Sequence, residues 1–306
     1  MLIRTTALAG AALVAAAGAQ AAPMDATGYS LSDGGASLVV TPRLDLPGSA
    51  RERAVTLDGE TLTLDSLALR PNGRRLYGYS EAEGAVYEID PASGAATFAA
   101  ALPEPSSADA NGFDFNNQVD AARLVTGDDE NFVFFPDDRA VGEPAPASVQ
   151  RFTDLFYVEG DANEGADPLA VGNAYTNAVF PPPGAVVQYL LDAETDDLAI
   201  LGNNAGTLET VGATGLDFDV AGGFDILSLA EGSNEAFALL TVGGEQAIYG
   251  IDLDTGMASL AAAAPTQLGE LDGFAVAPVP VPAALPLLAA GLGGLALFGR
   301  RRAHRG

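Results

Sequence analysis

Oxygen-bearing side chains stand at alternate positions in one stretch of the chain, Asp161-x-Asn163-x-Gly165-x-Asp167. Hard cations such as Ca²⁺ take about six to eight oxygens, so oxygens crowded on a turn are what a Ca²⁺ site requires. Asp161, Asn163 and Asp167 are therefore the metal-site candidate, and Ca²⁺ is the one cofactor the sequence offers a place for. A full Ca²⁺ loop closes on a bidentate acid at its twelfth position, which here is Gly172. Asp252-x-Asp254-x-Gly256 is a shorter version of the same pattern. Loops of Asp, Asn and Gly are equally the material of ordinary turns.

Single acids flanked by apolar residues form a second group: Phe113-Asp114-Phe115-Asn116, Asp217-Phe218-Asp219 and Phe224-Asp225. Acids so placed can bond backbone groups of a neighbouring strand. Alternatively they can ring a channel and hold a metal for hydrolysis. Paired carboxylates can also cleave glycosides, but no pair stands out among 41 acids. The absences exclude more. There is no Cys, no Trp and no Lys, and the one His is His304. A Cys nucleophile, a Lys Schiff base, a Ser-His-Asp triad in the body and a Cys/His zinc site are all excluded. No catalytic residue is assigned.

The two ends read as targeting segments. Arg4, the apolar run Leu8 to Gly18 and Ala19-Gln20-Ala21 give the charge, core and cleavage pattern of a signal peptide over 1–21. At the other end, Val279-Pro280-Val281-Pro282-Ala283 leads into an apolar run ending at Gly299, followed by Arg300, Arg301, Arg302 and Arg305. That run has the length of a short transmembrane helix, and the Arg cluster would stay cytoplasmic. The layout resembles the PEP-CTERM sorting tail in its VPLPA-CTERM variant, with Val281 in place of the usual Leu. The resemblance implies a Gram-negative source and an exosortase-type enzyme that cuts near the motif and passes the protein outward. A permanent single-pass anchor is the competing reading. The expected organisation is a signal peptide (1–21), an exported domain (22–278) and a sorting tail (279–306).

Removing both ends leaves nine Arg against 41 acids, a net charge of −32. Such a field repels nucleic acid, which is excluded as a partner, and attracts cations. It also keeps an exported protein soluble.

The body must position these residues on short strands. Hydrophobic residues make up 48% of the chain, enough for a core, while 36 Gly and 19 Pro impose many turns. Three hairpins share one pattern, in which Tyr and an aliphatic residue two positions on are followed by Asp at a turn: Tyr87 to Asp90, Tyr189 to Asp192 and Tyr249 to Asp252. Further strands are expected at Leu64 to Leu69, Gly112 to Phe115, Gly215 to Phe218 and Gly223 to Ile226. Units recur at about 46 to 61 residues, close to the blade length of a propeller. The fold predicted is all-β, a β-propeller-like ring of five or six blades, with a β-sandwich as the rival. Gly273-Phe274-Ala275-Val276 is expected to close the ring against a strand near Ser37 to Thr41. Tyr77, Tyr79, Tyr87, Tyr175, Tyr189 and Tyr249 are expected in the core, although such rings can also stack on sugars.

Landmarks from about Gly59 to Ala264 carry a family resemblance. They include Leu69-Arg70-Pro71, Arg75-Leu76-Tyr77-Gly78, Gly112-Phe113-Asp114-Phe115-Asn116, Val119-Asp120, Gly160-Asp161-Ala162-Asn163, Ala174-Tyr175-Thr176-Asn177 and Gly222-Gly223-Phe224-Asp225-Ile226. In these the chain resembles the bacterial domain of unknown function 4394, which implies a propeller-like fold and no particular activity. Two Arg of the family pattern are replaced here, by Ala121 after Asp120 and by Val133 after Asn131-Phe132. An anion site built on those two Arg would be lost in this member.

The functional expectation is an exported, non-enzymatic surface or extracellular-matrix protein, structural or adhesive in role. Its expected partners are the exosortase-type enzyme, exopolysaccharide or other matrix components, and the membrane before processing. It would begin as an inner-membrane-anchored precursor and end at the cell surface or outside. The alternative is a cation-dependent hydrolase on the same scaffold.

Overall fold

The structure is a computed structural model that describes residues 26–104, 106, 111–139, 147–181 and 184–279. The expected signal peptide and all of the sorting tail beyond Val279 lie outside the described residues. No helix among the described residues is long and apolar enough to cross a membrane.

Twenty-three strands run along the described residues. They are β1 (Ala26–Ser32), β2 (Ser37–Thr41), β3 (Arg51–Ala54), β4 (Thr56–Leu57), β5 (Glu60–Thr61) and β6 (Ser66–Arg70). Next come β7 (Arg75–Ser80), β8 (Ala85–Ile89), β9 (Ala95–Ala101), β10 (Asn111–Asn116), β11 (Ala121–Thr126) and β12 (Asn131–Phe135). Then follow β13 (Ser148–Arg151), β14 (Phe156–Tyr157), β15 (Ala170–Tyr175), β16 (Gln188–Asp192), β17 (Asp197–Leu201) and β18 (Thr207–Ala213). The last are β19 (Phe218–Ala230), β20 (Ser233–Val242), β21 (Glu245–Ile251), β22 (Ala258–Ala263) and β23 (Asp272–Pro278).

These strands form five sheets, the five blades of a propeller. From the axis outward, blade 1 is β6-β7-β8-β9 with the short β4 and β5 at its rim. Blade 2 is β10-β11-β12-β13, blade 3 is β15-β16-β17-β18 with β14 outside, and blade 4 is β19-β20-β21-β22. Blade 5 joins the two ends of the domain in the order β23-β1-β2-β3. The innermost strands pack in a closed ring, β6 on β10, β10 on β15, β15 on β19, β19 on β23, and β23 on β6.

Glycine permits this close inner ring. A Cβ on Gly112 would meet the backbone N of Asn173 at 2.6 Å, and one on Gly172 would meet Phe224 Cβ at 2.6 Å. One on Gly223 would meet the backbone N of Phe274 at 2.7 Å. Each of these inner strands therefore offers a bare Cα to the next blade.

Apolar seams fill the gaps between blades. Tyr77, Phe115 and Phe134 interlock between blades 1 and 2, with Tyr77 ring centroids 5.2 Å from Phe115 and 5.4 Å from Phe134. The seam between blades 2 and 3, around Val125, Tyr157, Leu190 and Leu208, is the smallest of the five. Tyr77, Tyr79, Tyr87 and Tyr175 are buried as expected, while Tyr189 and Tyr249 are half-buried.

Three expectations need adjustment. The closing strand pairs with β1 across Thr27–Ala277 and Tyr29–Ala275, and β1 in turn pairs with Ser37 to Thr41. β1 escapes detection because its sequence, Ala-Thr-Gly-Tyr-Ser-Leu-Ser, is weakly apolar. Its Gly28 leaves room for Leu44, whose Cδ2 would lie 2.4 Å from a Cβ there. Of the segment expected at Gly215 to Phe218 only Phe218 lies in a strand, and it shares that strand, β19, with Gly223 to Ile226, across a register shift between Phe218 and Gly222. Finally, the three Tyr-to-Asp hairpins are not radially equivalent. They form the third and fourth strands of blades 1 and 4 but the second and third of blade 3.

Candidate functional site

The acids between apolar residues work as stitches between blades. Asp114 Oδ2, on β10, accepts the backbone N–H of Tyr175 in blade 3 at 2.7 Å. Asp225, on β19, accepts from Val276 of blade 5 at 2.6 Å and from its own neighbour Ile226 at 2.6 Å. Asp272 returns a bond to blade 4 by accepting Gly222 N–H at 3.0 Å. Asp114 and Asp225 line one cavity of about 280 Å³ together with Leu69 and Val276. Burial pushes the Asp225 carboxyl up to about 7 against the two N–H bonds it accepts. Burial, then the charge of Asp225, pushes Asp114 well above the carboxylate range. Burial likewise raises Asp272 to about 6.

A stronger tie joins blades 1 and 2. Arg70, at the end of β6, is fully buried, and its Nε and Nη2 grip Asp120 at 2.7 and 2.5 Å. Its Nη1 reaches Asp138 at 2.6 Å, and Asn72 adds a bond to Asp120 at 3.1 Å. Arg75 holds Asp138 from the other side at 2.5 Å. Desolvation disfavours the buried Arg70 charge, but the bonds to Asp120 and Asp138 outweigh it and raise its pKa overall. Slight burial of Asp138 is outweighed in the same way by Arg70 and Arg75, which lower its carboxyl to about 2. Between blades 3 and 4, Asn234 Oδ1 accepts Asn177 N–H at 2.7 Å. Arg70, Asp114, Asp120, Asn177 and Asp225 are all among the family landmarks of the sequence, and each ties one blade to the next.

The loop proposed for a cation engages both oxygens of its first ligand, Asp161, in hydrogen bonds. Asp161 Oδ1 accepts Asn163 N–H at 2.9 Å and Thr210 Oγ1 at 2.6 Å, while Oδ2 accepts Thr210 N–H at 2.8 Å. These bonds outweigh slight desolvation and hold the Asp161 carboxyl below its ordinary range. Asn163 Nδ2 donates to Asp197 at 2.7 Å. Asp161 and Asn163 thus meet on Thr210 of β18, whereas Asp167 lies beside Asp129. Burial and then Asp167 push the Asp129 carboxyl up to about 7. Asp252 caps its turn through Asp254 N–H and Thr255 N–H, both at 3.0 Å. Among the described residues, no group of three or more acids or His has a metal-binding arrangement. Asp217 and Asp219 are exposed. Val279 follows directly on β23, and Pro280, Val281, Pro282, Ala283, Arg300, Arg301 and Arg302 lie outside the described residues.

The arrangement that sequence reading missed is a cleft of about 600 Å³ on blades 2 and 3. Arg123 of β11 stands in its wall, only 4% exposed. Its Nε donates to Tyr175 Oη at 3.1 Å, its Nη2 to Asn204 Oδ1 at 2.7 Å, and its Nη1 to Asn131 Oδ1. Tyr175 Oη in turn donates to Asn203 Oδ1 at 3.1 Å. The Asn203–Ala205 3₁₀ turn between β17 and β18 presents both asparagines. Ala121 and Val133, the two positions where the resemblance predicts Arg, also line this cleft. The one local signal in the sequence was an Arg set within the otherwise apolar or small run of β11.

Comparison with known proteins agrees with the landmarks. The family described as a domain of unknown function, DUF4394, matches residues 40–275. The chain belongs to the DUF4394 family. No relative is found among the curated proteins. The solved structures that match do so at low identity. Virginiamycin B lyase from Staphylococcus aureus is 14% identical with a TM-score of 0.35, over 70% of this chain and 62% of that one. The chain thus spans less than two thirds of that enzyme's length. A chain of a nidogen/laminin complex is 12% identical with a TM-score of 0.47, over 84% of this chain and 100% of that one. Regucalcin, a calcium-binding protein from Agrobacterium tumefaciens, is 13% identical with a TM-score of 0.41, over 79% and 76%.

Proposed function

We propose that this DUF4394 member is an exported, non-enzymatic surface or extracellular-matrix protein, structural or adhesive in role and associated with exopolysaccharide. An exosortase-type enzyme would deliver it by cutting the tail that begins at Val279. The observation that carries this reading is where the blades end. β23 finishes at Pro278, one residue before the motif, and Pro278 pairs with Ala26 at the other end of the domain. Both targeting segments therefore leave from adjacent strands at one edge of blade 5. Cutting both would leave every ladder pair of the described residues in place. The use of the inner carboxylates as backbone stitches supports a structural role over a hydrolytic one.

The test is to replace Pro280 and Pro282 by Ala in the producing cell and follow the protein by fractionation. The variant should accumulate in the inner membrane while the native chain reaches the surface. Equal release of both would remove the sorting mechanism from the account.

A further inference from the structure

Arg123 is a buried cation without a carboxylate. Arg43, Arg70, Arg75 and Arg151 each pair with an acid, as expected for a body so rich in them. Among the described residues no carboxylate lies within ion-pair distance of Arg123. Its hydrogen bonds go to a phenol and two neutral amides. A buried charge without a counter-charge is costly, so this one is held by geometry and not by pairing. A guanidinium also carries five N–H donors, and three of its bonds are accounted for.

The surroundings match a ligand that is part anion and part sugar. In a chain with 41 acids, the described residues of the cleft wall include no Asp or Glu, and they include Arg139 as well as Arg123. Each guanidinium lies over a phenylalanine ring, Arg123 at 6.0 Å from the centroid of Phe152 and Arg139 at 4.8 Å from that of Phe135. Such stacking fixes the plane of the guanidinium, which suits a planar carboxylate. Asn204 and Gln150 add amide groups able to exchange hydrogen bonds with hydroxyls. The volume falls within the range of small-molecule sites. The strongly negative remainder of the body disfavours a densely charged polyanion.

We propose that this cleft binds a single carboxylate-bearing sugar, a hexuronate unit, with Arg123 supplying the counter-charge. The proposal rests on the exopolysaccharide reading for its biological sense, but its binding test does not depend on export or tail cleavage.

The test is calorimetric titration of the full-length chain with glucuronate, glucose and inorganic phosphate in 0.15 M NaCl. Glucuronate should bind with a Kd in the millimolar range or tighter, and glucose and phosphate at least tenfold more weakly. The decisive variant is Asn204→Asp, an isosteric change at an exposed position already bonded to Arg123. It places the missing carboxylate inside the protein, so it should raise the melting temperature and weaken glucuronate at least tenfold. Arg123→Gln should also abolish binding, with Asn204→Asp covering the case in which that variant fails to fold. Glucuronate that does not bind, that binds no better than phosphate, or that binds Asn204→Asp as well as the native chain would overturn the proposal. Binding that holds while the Pro280/Pro282 experiment fails would leave the cleft standing and remove only the matrix reading.

Discussion

The paired acids of the inner ring should make the protein lose stability as pH rises through neutrality. Asp225 keeps its proton in the folded state up to about pH 7, against an ordinary value of 3.8. Between those two values the folded state binds more protons than the unfolded one, so the free energy of unfolding falls as pH rises. This contribution is complete below pH 3.8 and gone above about 7. A displacement of about three pKa units corresponds to about 4 kcal/mol at most. Asp272, raised to about 6, and Asp129, raised to about 7, act in the same direction. The lowered group Asp138 acts below pH 3.8 and leaves this window undisturbed. Urea unfolding at intervals from pH 4.5 to 8.5 in 0.15 M NaCl measures the slope. Asp114→Asn tests the pair, because it removes the second carboxyl, which burial and the charge of Asp225 push well above the ordinary range. The drop between pH 5 and 8 should shrink in that variant, because only Asp225, raised by burial, is left of the two. Stability that is flat or rising over this range in the native chain, or an unchanged drop in Asp114→Asn, would refute the reasoning.

Other substitutions follow from the same contacts. Asp120→Asn leaves the fully buried Arg70 without its bidentate partner and should cost about 3–5 kcal/mol by urea unfolding. Gly172→Ala forces a Cβ to within 2.6 Å of Phe224 Cβ, and about 1–3 kcal/mol of destabilisation is expected from thermal melts. Asp161→Ala removes the bonds that hold the 161–164 turn to Thr210, at a cost of about 1–2 kcal/mol. Because those oxygens are already engaged, millimolar CaCl₂ at constant ionic strength should shift the melting temperature of the native chain little. A large saturable shift that is lost in Asp161→Ala would instead establish the loop as a cation site.

Local chemistry was legible in the sequence, and radial order was not. Asp90, Asp192 and Asp252 each open a turn by accepting a backbone N–H two residues on, at 3.0, 2.9 and 3.0 Å. That pattern needs only neighbouring residues, so it marks a hairpin wherever the hairpin lies. It does not say whether the hairpin sits second or third from the axis, because that depends on the gap before it. The acids of β10 and β19 announced a cross-blade bond by standing alone among Phe and Ile. The Arg70–Asp120 pair spans 50 residues, and the Arg123–Asn204 bond spans 81. No local spacing joins such partners. They come together only because the ring brings successive blades side by side.

Mass spectrometry of protein recovered from the cell surface or medium tests the central claim most directly. The account predicts a mature chain that begins near Ala22 and lacks Arg300 to Gly306. An intact C-terminal peptide on surface or released protein would contradict it.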